Sequence, residues 1–190
     1  VTVPTEPKID TIDDEEDPAV LLDRLLWLIG DEQLIAAARV LELLEGHTLR
    51  KKVASRLEDH AVRLSLLKMQ AEECTRAKAE FDEETGWIHA QTLFGITTSY
   101  KMVEGQPEIW VKMEGEMDNT PLVCTASVIR EVDLFTQWVP FCDRADVLKW
   151  KGRADVIAHF GISTPVLARD AIIHAYACDT MDEDGSFMLV

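Results

Sequence analysis

An α+β fold is predicted by three features of the sequence. Apolar residues recur at helical spacing between Pro18 and Phe81. From Gly95 onward they alternate with period two. The extended runs are joined by turn residues and one helical stretch, which gives a hairpin and an antiparallel meander, not βαβ units. With 190 residues, the chain can build one domain with a real core plus a helical extension.

Residues 1–17 carry seven acids against Lys8, with Pro4 and Pro7, and read as an acidic arm, extended or disordered. Pro18 suits a first helical turn. Val20, Leu21, Leu25, Leu28 and Ile29 then line one helix, and Gly30 and Asp31 stop it and cap the next. The second helix sets Leu34, Ala37, Ala38, Leu41 and Leu44 on one face and ends at Gly46. Thr48 is the expected cap of a third helix reaching about Phe81. Its seam, Leu49, Val53, Leu57, His60, Leu64, Leu67, Ala71, Cys74, Lys78 and Phe81, predicts a rod of roughly 50 Å. On it, His60 reads as a packed histidine and Lys78 as a snorkelling one. The predicted divisions are the arm at 1–17, a helical hairpin extension at 18–47, and an α+β domain at 48–190.

In the second half, Ile96, Thr98 and Tyr100 alternate with polar neighbours, as do Ile109, Val111 and Met113. Glu104-Gly105-Gln106-Pro107 between them makes a hairpin turn. Asn119 or Thr120 can cap a helix opened by Pro121 and carrying Val123, Val128 and Val132, with a short piece at 134–139 behind it. Extended runs follow at 147–151, 153–162 and 170–179, and an acidic turn, Asp182 to Gly185, leads into Ser186–Val190.

The net charge of -16 argues against nucleic acid and against electrostatic docking on anionic membranes. No window is apolar and long enough for a transmembrane helix. Four widely spaced cysteines read as reduced thiols of an intracellular protein, with the cytoplasm as the expected location. The start at Val1 leaves organelle targeting open.

Catalytic and cofactor signatures are missing. There is no GxxxxGK[ST], GxGxxG or HExxH. Gly161-Ile162-Ser163-Thr164-Pro165 approaches a nucleophile elbow, but Pro165 replaces the second glycine. Cys142 with His159, and His174 with Cys178, form a metal or thiol-imidazole site only by assumption. No enzyme, no metal and no cofactor is expected.

The strand faces are more informative. Val156, Ala158 and Phe160 share one face, and Ala171, Ile173, Ala175 and Ala177 share another. Small apolar residues leave volume on a curved sheet unless a helix sits close. The two outcomes are an apolar cavity and a filled core.

Three stretches resemble the START family (steroidogenic acute regulatory protein-related lipid transfer). They are Val111-Lys112-Met113-Glu114-Gly115-Glu116-Met117 with Pro121-Leu122, Glu131 to Cys142 around Trp138, and Pro165 to Asp170 followed by a strand, an acidic glycine turn and Ser186–Val190. The likeness covers about 95–190, and the helix from Thr48 is similar to the family's N-terminal helix. It implies a helix-grip fold, in which a curved antiparallel sheet wraps a long C-terminal helix around one lipid or sterol. It also implies lipid transport without covalent chemistry, and a gating position at Met181 to Gly185. The family's C-terminal helix has no counterpart by Val190, so Ser186–Val190 is expected to be an apolar edge strand.

On this reading an apolar ligand, lipid or sterol, contacts Val111, Met113, Val128, Val132, Phe135, Trp138, Val139, Phe160, Ala171, Ile173 and Ala175. Trp138 suits the core as well as a ligand wall, and Arg169 and Asp170 suit a structural role at the start of their strand. Phe135 and Val139 stand where phosphatidylcholine-transfer members carry Arg and Asp, so the resemblance implies no phosphocholine site. Ala175 lies near the position of the buried Arg of sterol-binding members. The alternative function is a non-catalytic interaction or scaffold subunit, with a protein partner at the helical extension or at the Ser186–Val190 edge.

Overall fold

The computed structural model describes residues 16–102, 105 and 109–190. The acidic arm up to Glu15, and the hairpin turn apart from Gly105, lie outside the described residues.

Helices α1 (Pro18–Gly30) and α2 (Leu34–Gly46) form an antiparallel pair. Asp17 caps α1, its carboxylate accepting the Ala19 amide at 3.0 Å. Leu21, Leu22, Leu25 and Leu28 of α1 are buried with Leu34, Ala36, Ala37, Val40, Leu41 and Leu44 of α2. Asp31 does not cap α2. It is the residue after α1, and its carboxylate binds Arg153 instead. The link turns through Glu32 at φ 63°, and α2 starts behind Gln33 without a side-chain cap.

The long third helix is broken. A 3-10 turn (Arg50–Val53), α3 (Ala54–Asp59) and α4 (Ala61–Asp82) replace it, and Val53, not Thr48, precedes α3. The break is at His60, with φ -108° and ψ 7°. The physical reason is packing. Val53, Leu57, Leu64 and Leu67 all bury in the same cluster as α1 and α2, and the bend brings both segments onto that pair. Leu49 and Phe81, the ends of the predicted seam, stay exposed.

Strands β1 (Ile88–Leu93), β2 (Ile96–Met102) and β3 (Ile109–Glu114) form an antiparallel sheet in sequence order. β1, in which a bulge interrupts the pairing, was not evident from alternation. Helix α5 (Leu122–Arg130) follows Pro121, which sits one position earlier than expected, as its N-cap. A 3-10 turn (Val132–Leu134) and α6 (Phe135–Trp138) lead to β4 (Cys142–Trp150), β5 (Val156–Ser163) and β6 (Ala168–Ala175), a second antiparallel sheet. The predicted run 170–179 divides at Tyr176 into β6 and β7 (Ala177–Thr180). The acidic turn is a single helical turn, α7 (Met181–Asp184), closed by Gly185 at φ 74°, and β8 (Ser186–Leu189) pairs back onto β7.

Tyr176 is where the strand changes partners. Its amide and carbonyl bond Val190, whereas the next amide, of Ala177, bonds the Ala154 carbonyl. β5 and β8 therefore flank successive parts of one extended run. Tyr176 and Cys178 point into the helical cluster, and Met188 and Val190 pack against it, so α1, α2, α4 and the β7–β8 hairpin share one core. Phe187 and Leu189 alternate outward and are exposed.

Candidate functional site

The candidate site is a sheet face. Cross-strand register sets Ala145 and Val147 of β4, Val156, Ala158 and Phe160 of β5, and Ala171, Ile173 and Ala175 of β6 on one side of the second sheet. Val132, Phe135 and Val139 cover the β4–β5 half of this face and form a small second core with Cys142, Ala145 and Ala158. The Phe135 ring stands 5.5 Å from that of Phe160 and edge-on, at 5.0 Å, to that of Trp138. The β6 half has no such cover: Ala171 is exposed, Ile173 is 44% exposed and Ala175 is half-buried.

Four of the eleven sequence-selected residues thus meet directly, Val132, Phe135, Val139 and Phe160, and Trp138 touches them through Phe135. Ala171, Ile173 and Ala175 share the sheet face next to them. Val111 and Met113 lie on the first sheet. Tyr100 faces Val111, Thr98 faces Met113 and Met102 faces Ile109, so this side of the sheet carries Ile88, Met102, Ile109, Val111 and Met113, all exposed. Val128 is exposed on α5.

The reason Val111 and Met113 are open is on the other side of the first sheet. There Lys101 and Lys112 engage the end of α4 and the loop after it. Lys101 forms an ion pair with Glu80 and lies 3.4 Å from a Glu83 carboxylate oxygen. The Lys112 ammonium donates to the Phe81 carbonyl at 3.2 Å. Both ammonium groups stand over the Trp87 ring, at 5.1 and 5.4 Å. Trp110 shares this polar side and is half-buried, with Lys101 at 5.7 Å. Polar anchoring of one face leaves the apolar face turned away from the helix. The bonds to Thr85 and Lys101 hold the Glu83 carboxyl below its ordinary range.

Arg130 fixes the C-terminal end of α5 to the β4–β5 loop. Its Nε donates to the Arg153 carbonyl at 2.9 Å, and its guanidinium lies 4.7 Å from the Trp150 ring centroid. On the polar face of the second sheet, Asp170 and His159 are 3.0 Å apart. The His159 hydrogen bond and charge hold the Asp170 carboxyl below its usual range. A depressed carboxylate contributes stability above the ordinary value near pH 4, which is lost as pH falls through the depressed value. Asp170→Asn is therefore expected to flatten the acid limb of stability. Urea midpoints measured from neutral to acid pH test this; an unchanged slope contradicts it. Arg169 makes a local hydrogen bond, its Nη1 to the Ala168 carbonyl at 3.4 Å.

A groove of about 710 Å³ lies apart from these faces, between α2, α3 and the start of α4, and none of the eleven residues lines it. A polar cleft of about 330 Å³ lies around Gly161 and Ser163, with Asp143, Arg144, Arg169 and Asp170. Ser163 bonds Asp143, not a histidine, so no nucleophile-base pair forms there. Among the described residues no group of three His, Cys, Asp or Glu is placed to hold a metal. Nor is any helix there long and apolar enough to cross a membrane.

The Met181–Gly185 segment is held by three long side chains. Arg39 of α2 binds Glu183 at 3.2 Å, Lys78 of α4 pairs with Asp184, and Gln33 donates to Asp182 at 3.4 Å. Sequence reasoning missed these contacts, because acids 144 and 149 residues from their partners carry no local signal.

No family model matches the chain, and no curated protein sequence does. Solved structures do match. A STAR-related lipid transfer protein from Xanthomonas axonopodis aligns over 55% of this chain with 24% identity and a TM-score of 0.50. Human STARD10 aligns over 63% with 15% identity and a TM-score of 0.52. Human StAR-related lipid transfer protein 5 aligns over 68%, with 14% identity and a TM-score of 0.52.

The fold is START-like.

The alignments span 58%, 48% and 62% of those solved chains, so this chain matches about half to three fifths of their length. Within the START-like fold, helices α1 and α2 form an N-terminal helical segment ahead of the three antiparallel sheets, β1–β3, β4–β6 and β7–β8.

Proposed function

We propose that this chain is a lipid- or sterol-binding and transfer module that holds an apolar ligand on the face of its START-like sheet, without covalent chemistry. The observation that carries this reading is the half-covered apolar face of β4–β6. Val132, Phe135 and Val139 cover one side, and Ala171, Ile173 and Ala175 leave the other open. A hydrocarbon ligand laid on that strip gains about 25 cal/mol per Å² removed from water. The small side chains of Ala171 and Ala175 give it room, and the Phe135–Trp138–Phe160 cluster gives it a rigid wall. Val111, Met113 and Val128 supply further apolar surface from the first sheet and α5. Among the described residues no buried charge lies on this face, which favours an apolar guest over a phosphocholine lipid. The ligand-holding unit is 48–190, with 18–47 as its helical extension. The four free thiols fit a reducing intracellular compartment.

The names of the three solved neighbours describe START or lipid transfer proteins, which supports the class of ligand. The test is titration of the delipidated chain with a fluorescent sterol and a fluorescent fatty-acyl lipid. Saturable binding near one ligand per chain is expected, and Ala171→Trp or Ala175→Trp should abolish it while circular dichroism stays unchanged. Binding that persists in both variants removes the assignment of the face.

A second reading, a scaffold subunit in a larger assembly, is favoured by the large groove between α2, α3 and α4 on the helical segment. Native mass spectrometry separates the two: a lipid adduct on the monomer supports the first, and a stable hetero-complex without lipid supports the second.

A further inference from the structure

The groove of about 710 Å³ between α2, α3 and the start of α4 has a charge as well as a shape. Leu41, Leu57 and Leu64 are buried beneath it, and the small side chains of Ala54 and Ala61 keep it open. Arg50 and Lys51 stand exposed along it. Two acids also line it, Glu45 and Glu58, and Glu45 is taken up by Lys68 at 2.8 Å. The segment that builds most of this surface, residues 47–68, holds six of the chain's 19 lysines and arginines and only two of its 35 acids. It is a cationic island on a chain of net charge -16. α4 begins at Ala61, on the groove, without a side-chain cap, so the positive end of a 22-residue helix adds to the field there.

An apolar floor with a cationic rim selects an acidic peptide that also carries apolar side chains. The chain's own acidic arm contains one, Ile9-Asp10-Thr11-Ile12-Asp13-Asp14-Glu15, with two isoleucines three residues apart among four acids. Its point of attachment is beside the groove. α1 runs antiparallel to α2, so Pro18 lies at the end of the pair where α2 finishes at Gly46, and Leu41, Glu45 and His47 place the groove at that same end. α1 also packs on the 3-10 turn Arg50–Val53, and Asp23 pairs with Arg56 of α3 at 2.5 Å. At no more than about 3.5 Å per residue, nine residues reach at most about 30 Å from Pro18. Packed helices lie about 8–10 Å apart, so the groove is within that reach.

We propose that the groove between α2, α3 and α4 is a binding site for acidic-apolar peptide, and that residues 9–15 of the same chain occupy it. Ile9 and Ile12 lie on the apolar floor, and the arm's acids lie beside Arg50 and Lys51. Exposed ion pairs are individually weak. The tether to α1 makes this contact intramolecular, which raises the effective concentration of the arm and lets several weak pairs hold it. Salt screens such pairs and loosens the contact. Any other acidic peptide must displace the arm, which makes the arm a built-in competitor for the groove. This inference does not depend on lipid binding.

The test is carbodiimide coupling of the full chain, which joins a carboxylate to a touching lysine amine with loss of water, followed by peptide mapping. A mixture of isotope-labelled and unlabelled chain separates links within one copy from links between copies. The expected result is coupling of Asp10, Asp13, Asp14 or Glu15 to Lys51 or Lys68 within one copy. Ala54→Glu, which sets a carboxylate on the groove wall, should lower that yield about tenfold. Val62→Glu, at a position 86% exposed and off the groove, should leave it unchanged. Ile12→Ser, which removes an apolar contact from the arm itself, should also lower it about tenfold. If Ala54→Glu does not fold, Ile12→Ser decides alone. Arm links that spread over lysines outside the groove, that join only different copies, or that survive both Ala54→Glu and Ile12→Ser overturn the proposal, as does an arm that forms no link.

Discussion

Leu25→Ala is expected to lower the stability of the chain by about 2–5 kcal/mol, the range for truncating a buried leucine. Leu25 is 0% exposed, and Leu22, Ala37 and Leu44 in the same cluster are equally inaccessible. No neighbour there has a free surface from which to move into the space, so the cavity term adds to the lost transfer free energy. The cluster also spans the fold: it joins α1 and α2 to Val53, Leu64 and Leu67, and to Tyr176 and Cys178 beside β7. Loss at Leu25 should therefore lower the single urea midpoint of the whole chain, not melt α1 alone. Val62→Ala, at a position 86% exposed on α4, is the control and should move stability by less than about 0.5 kcal/mol. Similar midpoints for the two variants would contradict the placement of the main core.

Ile173→Glu is expected to leave the fold intact and to weaken uptake of a fluorescent sterol by roughly 100-fold or more, since an unpaired charge facing an apolar guest costs several kcal/mol. The two effects separate because Ile173 is 44% exposed in the ligand-free chain. Its carboxylate can stay in water until a ligand covers it. Ile173 faces Ala158, and two residue pairs along the ladder Phe160 faces Ala171, so the charge would stand at the centre of the proposed contact strip. Ile172→Glu is the matched control, because its side chain points to the opposite face and is already 70% exposed. Equal binding by the Ile173 and Ile172 variants would place the ligand elsewhere.

The parts of the fold legible in the sequence are those fixed by short-range periodicity. The span of α1 followed from Pro18 and Gly30, the β2–β3 pairing from strict alternation, and the side-by-side placement of Val156, Ala158 and Phe160 from the period of two. Several candidate residues converged for the same reason. Val132, Phe135 and Val139 are spaced to point one way from a short helical segment, and they met Phe160 on the sheet. What stayed hidden depended on partners far along the chain. The break at His60 cannot be read from a heptad, because the seam continues through it; what bends it is the need of Val53 and Leu64 to reach one cluster. The division at Tyr176 is invisible for a similar reason, since strand propensity runs unbroken and only the change of neighbour from β5 to β8 ends one ladder and begins the next.

The same contrast applies to chemistry. Composition, charge and motif spacing pointed away from phosphate loops and metal centres, and the residue order around Trp138 and Arg169-Asp170 carried the START-like resemblance. Those are properties of neighbours in sequence. Whether an apolar face is covered and which acid holds Lys78 are properties of neighbours in space. Cys74 and Cys178 stand far apart in sequence, and only the packing of α4 and β7 puts both, fully buried, in the main cluster, where apolar surface leaves water.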